Sequence, residues 1–122
     1  MKFASYLHAG RPTYGLVRDD GIVNLSKRLG FQTLRALLGA PNGLQSATAL
    51  ANEAPDAKLA DVTLLPPIPD PDKIVCLGLN YKAHAAEANL TAQNPRIFIR
   101  MTNTLVGSGS PLVATKISEQ FD

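Results

Sequence analysis

The residues best placed to do chemistry are His84 and Glu87, three positions apart in the run Ile74-Val75-Cys76-Leu77-Gly78-Leu79-Asn80-Tyr81-Lys82-Ala83-His84-Ala85-Ala86-Glu87. On a helix that spacing puts both on one face, with Cβ atoms ~5–6 Å apart. A carboxylate there can hydrogen-bond the imidazole, set its tautomer and raise its basicity. A histidine so held can take a proton from water, a role worth about 10²–10⁴ in rate. The same two residues on an alanine-rich helix are more often simply solvated. As a metal site the pair lacks the partner carboxylates that helical bundles supply from other helices.

The flanking sequence must position that pair. Residues 73–79 read as a short buried strand. Gly78 would let a ligand approach the backbone. Asn80 suits the helix N-cap, and the helix runs from Tyr81 to about Asn89. A strand-to-helix junction of this kind can turn backbone N–H groups toward an anion. Residues 95–101 form the next strand, and Arg100 at its end either meets an anionic substrate or reaches solvent. The run Gly107-Ser108-Gly109-Ser110-Pro111 lacks the Gly-Lys-Ser/Thr ending of a phosphate-binding loop and reads as a hairpin turn. His8 reads as a surface residue at a strand end. Asp19-Asp20 and Asp70/Asp72 suit turns as well as they suit a cation.

Upstream, Lys2–His8, 13–18 and 22–25 read as three strands of a small antiparallel meander, separated by Gly10-Arg11-Pro12 and Asp19-Asp20-Gly21. Phe31, Leu34, Leu37 and Leu38 recur at helical spacing and predict one amphipathic helix, which Gly39, Pro41 and Gly43 end. Residues 44–54 predict a second helix, and 62–65 a strand. Four of the nine prolines fall within residues 66–72, so that segment is extended and cannot lie inside a sheet. The expected organisation is an α+β chain. A small N-terminal domain covers 1–65, a proline-rich linker 66–72, and the beginning of a second, β-rich domain 73–122.

Composition narrows the classes. The chain has 122 residues, 45% hydrophobic and 18% charged, with a net charge of +2. The basic residues are scattered, so no phosphate-tracking surface for nucleic acid is expected. No stretch is long and apolar enough for a membrane span. Cys76 is the only cysteine, which excludes an intrachain disulfide, reads as a small buried hydrophobe and suits a reducing, cytoplasmic setting.

The run from Leu64 through Pro66-Pro67-Ile68-Pro69-Asp70-Pro71-Asp72 to Gly78-Leu79-Asn80-Tyr81, followed by His84 and Glu87, resembles the fumarylacetoacetate hydrolase family. So do Met1-Lys2-Phe3-Ala4-Ser5-Tyr6 with Gly15 and Asp20-Gly21-Ile22-Val23. The later Ile97-Phe98-Ile99-Arg100, Leu105-Val106-Gly107 and Ser118-Glu119-Gln120-Phe121-Asp122 match as well. The resemblance implies a β-rich mixed roll after the small N-terminal domain. It implies an enzyme acting on oxo acids: C–C hydrolysis of acylpyruvates or fumarylacetoacetate, decarboxylation, or hydration and isomerisation, in settings such as aromatic compound catabolism. It implies Mg²⁺ (or Mn²⁺ or Ca²⁺) in the complete enzyme. His84 and Glu87 match the water-activating dyad, on a segment able to fold over the site. Asn80 and Tyr81 fall beside the pocket, and Arg100 near the substrate. A homodimer is expected. The family's Glu-x-Glu metal ligands follow the Ser-Glu-Gln-Phe-Asp stretch, where this chain ends. The expectation is therefore a truncated chain with no metal ligand of its own, inactive in isolation. The alternative is a non-catalytic domain that associates through an exposed sheet edge.

Overall fold

The computed structural model describes residues 1–87, 89, 94–114 and 116–117. The Ser118-Glu119-Gln120-Phe121-Asp122 segment that carries part of the resemblance lies outside the described residues. So does position 88 in the expected helix. The chain forms two compact units, one of Met1–Pro69 with the chain from Val106 onward, the other of Asp70–Leu105. Among the described residues, a four-stranded antiparallel sheet, a two-stranded sheet and three helices bear out the α+β expectation. Among the described residues no helix is long and apolar enough to cross a membrane.

In the first unit, β1 (Lys2–His8), β2 (Arg11–Arg18) and β3 (Gly21–Asn24) form the meander, and β4 (Thr63–Leu64) adds to the free edge of β1. The first turn is Ala9-Gly10, both with positive φ (49° and 74°), as a two-residue hairpin loop of this twist requires. Arg11 and Pro12, expected in the turn, instead belong to β2. Pro12 pairs with Leu7 at a position where backbone donors point away from β1. On that side the β3 ladder ends at Gly15–Asn24, so the missing N–H leaves no gap.

Alternation then sorts the side chains. Tyr14, Leu16, Val23 and Leu25 share one face and are buried under Leu34 and Leu37 of α1 (Leu34–Gly39) and Ala47 of α2 (Gly43–Ala49). Helix α1 starts later than the periodicity of Phe31 suggested. Thr33 caps it, its Oγ1 accepting the Ala36 N–H at 3.1 Å, while the Phe31 carbonyl accepts the Tyr14 hydroxyl at 3.1 Å. Helix α2 stops at Ala49, shorter than expected. Its first residue must be glycine, because a Cβ on Gly43 would lie 1.8 Å from the Leu37 carbonyl oxygen.

The outer edge of β3 is closed by residues 56–57. The Ile22 N–H donates to Ala57 O and the Asp56 N–H to Ile22 O, both at 2.8 Å. The Asp56 carboxylate takes the Asn24 N–H at 2.7 Å and Arg28 Nη1 at 2.5 Å. Part of the proline-rich segment also packs here: the Ser5 hydroxyl donates to Pro67 O at 2.6 Å, and Ile68 lies against the core. Gly107 sits so near β4 that a Cβ would meet Leu64 O at 1.8 Å. Residues 107–110 make a turn closed by Ser110 N–H to Gly107 O at 3.1 Å, with Gly109 at φ 83°. The turn expected here is present, but described strands do not flank it, so it is not a hairpin.

The second unit holds β5 (Ile74–Gly78), α3 (Lys82–Glu87), β6 (Arg96–Arg100) and a 3₁₀ turn at Thr102–Thr104. Strands β5 and β6 pair antiparallel, Gly78 opposite Arg96 and Ile74 opposite Arg100. The expectation of a buried strand fails here. Val75 is 62% exposed, Leu77 48%, and Cys76 is only partly buried. Among the described residues each strand pairs only with the other, so neither has a second neighbour there to cover it.

Candidate functional site

Asn80, Tyr81, His84, Glu87 and Arg100 all lie in the second unit, whereas His8, Asp19, Asp20 and the turn at 107–111 belong to the first. After Gly78 the chain turns through Leu79, a non-glycine residue at φ 54°, and then enters α3. The left-handed conformation costs a side-chain-bearing residue roughly 1–2 kcal/mol. This turn shifts the cap. The helix begins at Lys82, and the Tyr81 carbonyl accepts the first helical bond, from the Ala85 N–H at 3.0 Å. Tyr81 therefore occupies the cap position in place of Asn80, which lies one residue earlier and is exposed. With six residues, α3 is too short for a substantial helix dipole at its start.

Along α3, Ala85 is buried, while His84 and Glu87 share the solvent-facing side. His84 Nδ1 stands 3.7 Å from Glu87 Oε2, with side chains 62% and 78% exposed. That is ion-pair range, longer than a hydrogen bond. The helix thus brings the two together as their spacing requires, and a small rotation of either side chain would close the bond. Tyr81 and Asn80 stand at the start of the same helix, both open to solvent.

Arg100 is placed differently. It pairs with Ile74 at the end of the ribbon remote from Gly78, and its guanidinium lies 5.7 Å from the centroid of Phe98. Four residues of strand separate it from the Gly78 end, about 13 Å along the ladder. The cation opposite Gly78 is Arg96, on the same face as Phe98 and Arg100. Sequence reading passed over Arg96. The signal that finds it is the antiparallel register, which neither composition nor local motif contains.

Among the described residues no three His, Cys, Asp or Glu side chains converge in a way that could hold a metal ion. The described donor set therefore does not fit a divalent cation. The chemistry open to these residues is proton transfer at the His84 imidazole and charge pairing at the two arginines.

Comparison with known proteins adds the family. Residues 73–122 match the profile described as Fumarylacetoacetate (FAA) hydrolase C-terminal. The chain is 36% identical over 75 residues to the mitochondrial oxaloacetate tautomerase Fahd2a of Rattus norvegicus, covering 61% of this chain and 24% of that protein. It is 32% identical over 118 residues to the mitochondrial oxaloacetate tautomerase fahd2 of Xenopus laevis, covering 91% of this chain and 37% of the relative. An uncharacterised protein of Staphylococcus epidermidis is 28% identical over an alignment that spans the whole chain and 48% of its own length. The chain thus spans a quarter to a half of the length of these curated relatives. With the Gly78-Leu79-Asn80-Tyr81…His84…Glu87 block inside the matched segment, the chain belongs to the fumarylacetoacetate hydrolase family.

Proposed function

We propose that this chain supplies the proton-transfer part of a fumarylacetoacetate hydrolase family enzyme acting on a small oxo acid, with His84 as the base and Glu87 its positioning partner. The observation that carries the reading is the shared face of α3, with the imidazole and the carboxylate 3.7 Å apart inside the segment that matches the family. The rat and Xenopus relatives are named oxaloacetate tautomerases. In a tautomerisation one proton leaves the enol oxygen and one arrives at the adjacent carbon. An imidazole that accepts one proton and returns one does this with no other reactant. C–C hydrolysis of an acylpyruvate or fumarylacetoacetate-like substrate would ask the same imidazole to deprotonate water, and decarboxylation or hydration likewise need one mobile proton. The relatives' names favour tautomerisation first.

Members of this family are generally metal-dependent. Mg²⁺, Mn²⁺ or Ca²⁺ would polarise the substrate carbonyl as a Lewis acid. The described residues do not provide its ligands. Arg96, opposite Gly78, is the cation we assign to the substrate carboxylate, and Asn80 and Tyr81 follow Gly78 by two and three residues.

The test is the decay of enol oxaloacetate absorbance with a complete, metal-loaded family enzyme that contains this segment, with product analysis to separate tautomerisation from bond cleavage; the isolated chain should be inactive. His84→Ala should lower kcat by about 100-fold or more with KM little changed. A wild-type rate in that variant would remove His84 from the mechanism.

A second reading has its own observation. Val75, Leu77, Ile97 and Ile99 share one face of the β5–β6 ribbon and are 48–75% exposed. On this reading the chain is an interaction domain whose ribbon packs against a second copy, the homodimer expected above. For the compartment, the single Cys76 supports a reducing one, which we take as cytoplasmic; the two named relatives are mitochondrial by name, and cell fractionation distinguishes the two.

A further inference from the structure

The first unit contains a cavity unrelated to His84. It lies at the tip of the β1–β2 hairpin, has a volume of about 440 Å³, and is lined by His8, Arg11, Thr13, Asn24, Ser26 and Lys27 with Ala9 and Pro12. That volume is in the range of small-molecule sites. Its polar wall is already built. Thr13 Oγ1 and Ser26 Oγ are 2.6 Å apart. Asn24 Oδ1 lies 3.3 Å from Thr13 Oγ1, 2.9 Å from Ser26 Oγ and 3.1 Å from the Lys27 N–H. Two hydroxyl protons must serve three hydroxyl contacts, so these donors are engaged with one another. Behind them the fully buried Tyr6 hydroxyl stands near Thr13 without hydrogen-bond geometry.

A ligand must therefore be met by the charged side chains of the lining. These are Arg11 and Lys27, with His8 beside them, and no carboxylate lines the cavity. The nearest acid of the network, Asp56, is held by Arg28 and the Asn24 N–H. We propose that this cavity binds a small metabolite carrying two or more negative charges as oxyanion, a phosphate monoester or a polycarboxylate, gripped by Arg11 and Lys27 with the His8 imidazole beside them as a further hydrogen-bonding group. Charge-assisted bonds from a guanidinium and an ammonium to one oxyanion give such a site selectivity over monovalent anions.

The site shares no residue with the proposed proton-transfer site, so the two readings stand or fall separately. The experiment is an amide NMR titration of the full chain at neutral pH, with inorganic phosphate and citrate as probes and sodium chloride at matched ionic strength as reference. Saturable shifts confined to His8, Arg11, Thr13, Ser26 and Lys27 are expected with at least one probe. The probe saturating at the lower concentration identifies the source of the oxyanion. Arg11→Gln with Lys27→Gln should weaken that binding about 100-fold, about tenfold per cation, and Lys58→Gln should leave it unchanged. Arg11 and Lys27 are exposed, so the double variant keeps its fold, and the same spectra verify this. Shifts that never saturate, that spread over all lysines and arginines, that chloride reproduces, or that survive the double substitution would overturn the proposal.

Discussion

The chemistry proposed for His84 comes from one neighbour at one helical spacing, and that of the arginines from strand register. The two cases separate cleanly. An i, i+3 relation is written in the sequence and needs only a helix, whereas the pairing of Arg96 with Gly78 depends on where two distant segments meet. The kinetic consequence is specific. If Arg96 meets the oxo acid as proposed, Arg96→Gln in the complete enzyme should raise KM several-fold with a smaller effect on kcat, because it would remove a charge pair made in both ground and transition states. Arg100→Gln should change KM less, and steady-state kinetics of the two variants side by side decides which arginine meets the substrate. Tyr6 carries a different residue-scale effect. Burial, and next the Asp56 charge, push its hydroxyl up to about 12. The folded state therefore holds this proton more tightly than the unfolded chain does. Its contribution to stability is complete below about pH 10 and is lost as pH rises toward about 12. Tyr6→Phe should keep near-wild-type stability at neutral pH, since the hydroxyl has no hydrogen-bond partner among the described residues, and should remove that part of the alkaline loss. Denaturant melts of both proteins from pH 8 to 11.5 measure the difference.

Helices and strands show where local preference yields to packing. The three meander strands are legible in the sequence because runs of branched or aromatic residues lie between strong turn signals. The turn itself moved to Ala9-Gly10, since a two-residue loop satisfies strand twist and Pro12 finds a position that needs no donor. The helix start was misread because Phe31 fits the apolar period, while Thr33 supplies the cap and Tyr14 claims the Phe31 carbonyl. The α1–α2 junction gives an element-scale prediction. Gly43→Ala would drive a methyl into the Leu37 carbonyl, so one helix must shift. The expected loss is about 1–3 kcal/mol, read as a lower urea midpoint at unchanged m-value. Its control, Gly39→Ala, has open space around the added Cβ and should not lose stability in this way.

For the whole molecule, the two units differ in how completely they bury their apolar side chains. Tyr6, Tyr14, Ile22, Val23, Leu25 and Leu37 are essentially inaccessible in the first, whereas the β5–β6 ribbon leaves branched side chains in solvent. Exposed apolar strands with free edges favour association. If the second copy occupies this face, sedimentation should show a concentration-dependent dimer that Ile97→Lys converts to monomer; a wild-type monomer at all concentrations would rule that reading out. The sequence alone determined the family, the α+β character and the His84/Glu87 face, because these follow from motif, turn chemistry and periodicity within a few residues. Only the tertiary structure decided that Arg96 faces Gly78 and that His8, Arg11 and Lys27 ring one cavity. It likewise decided that the apolar ribbon stands exposed. Each depends on contacts between segments far apart in the chain, and a local pattern of residue types does not encode which distant surface will meet it.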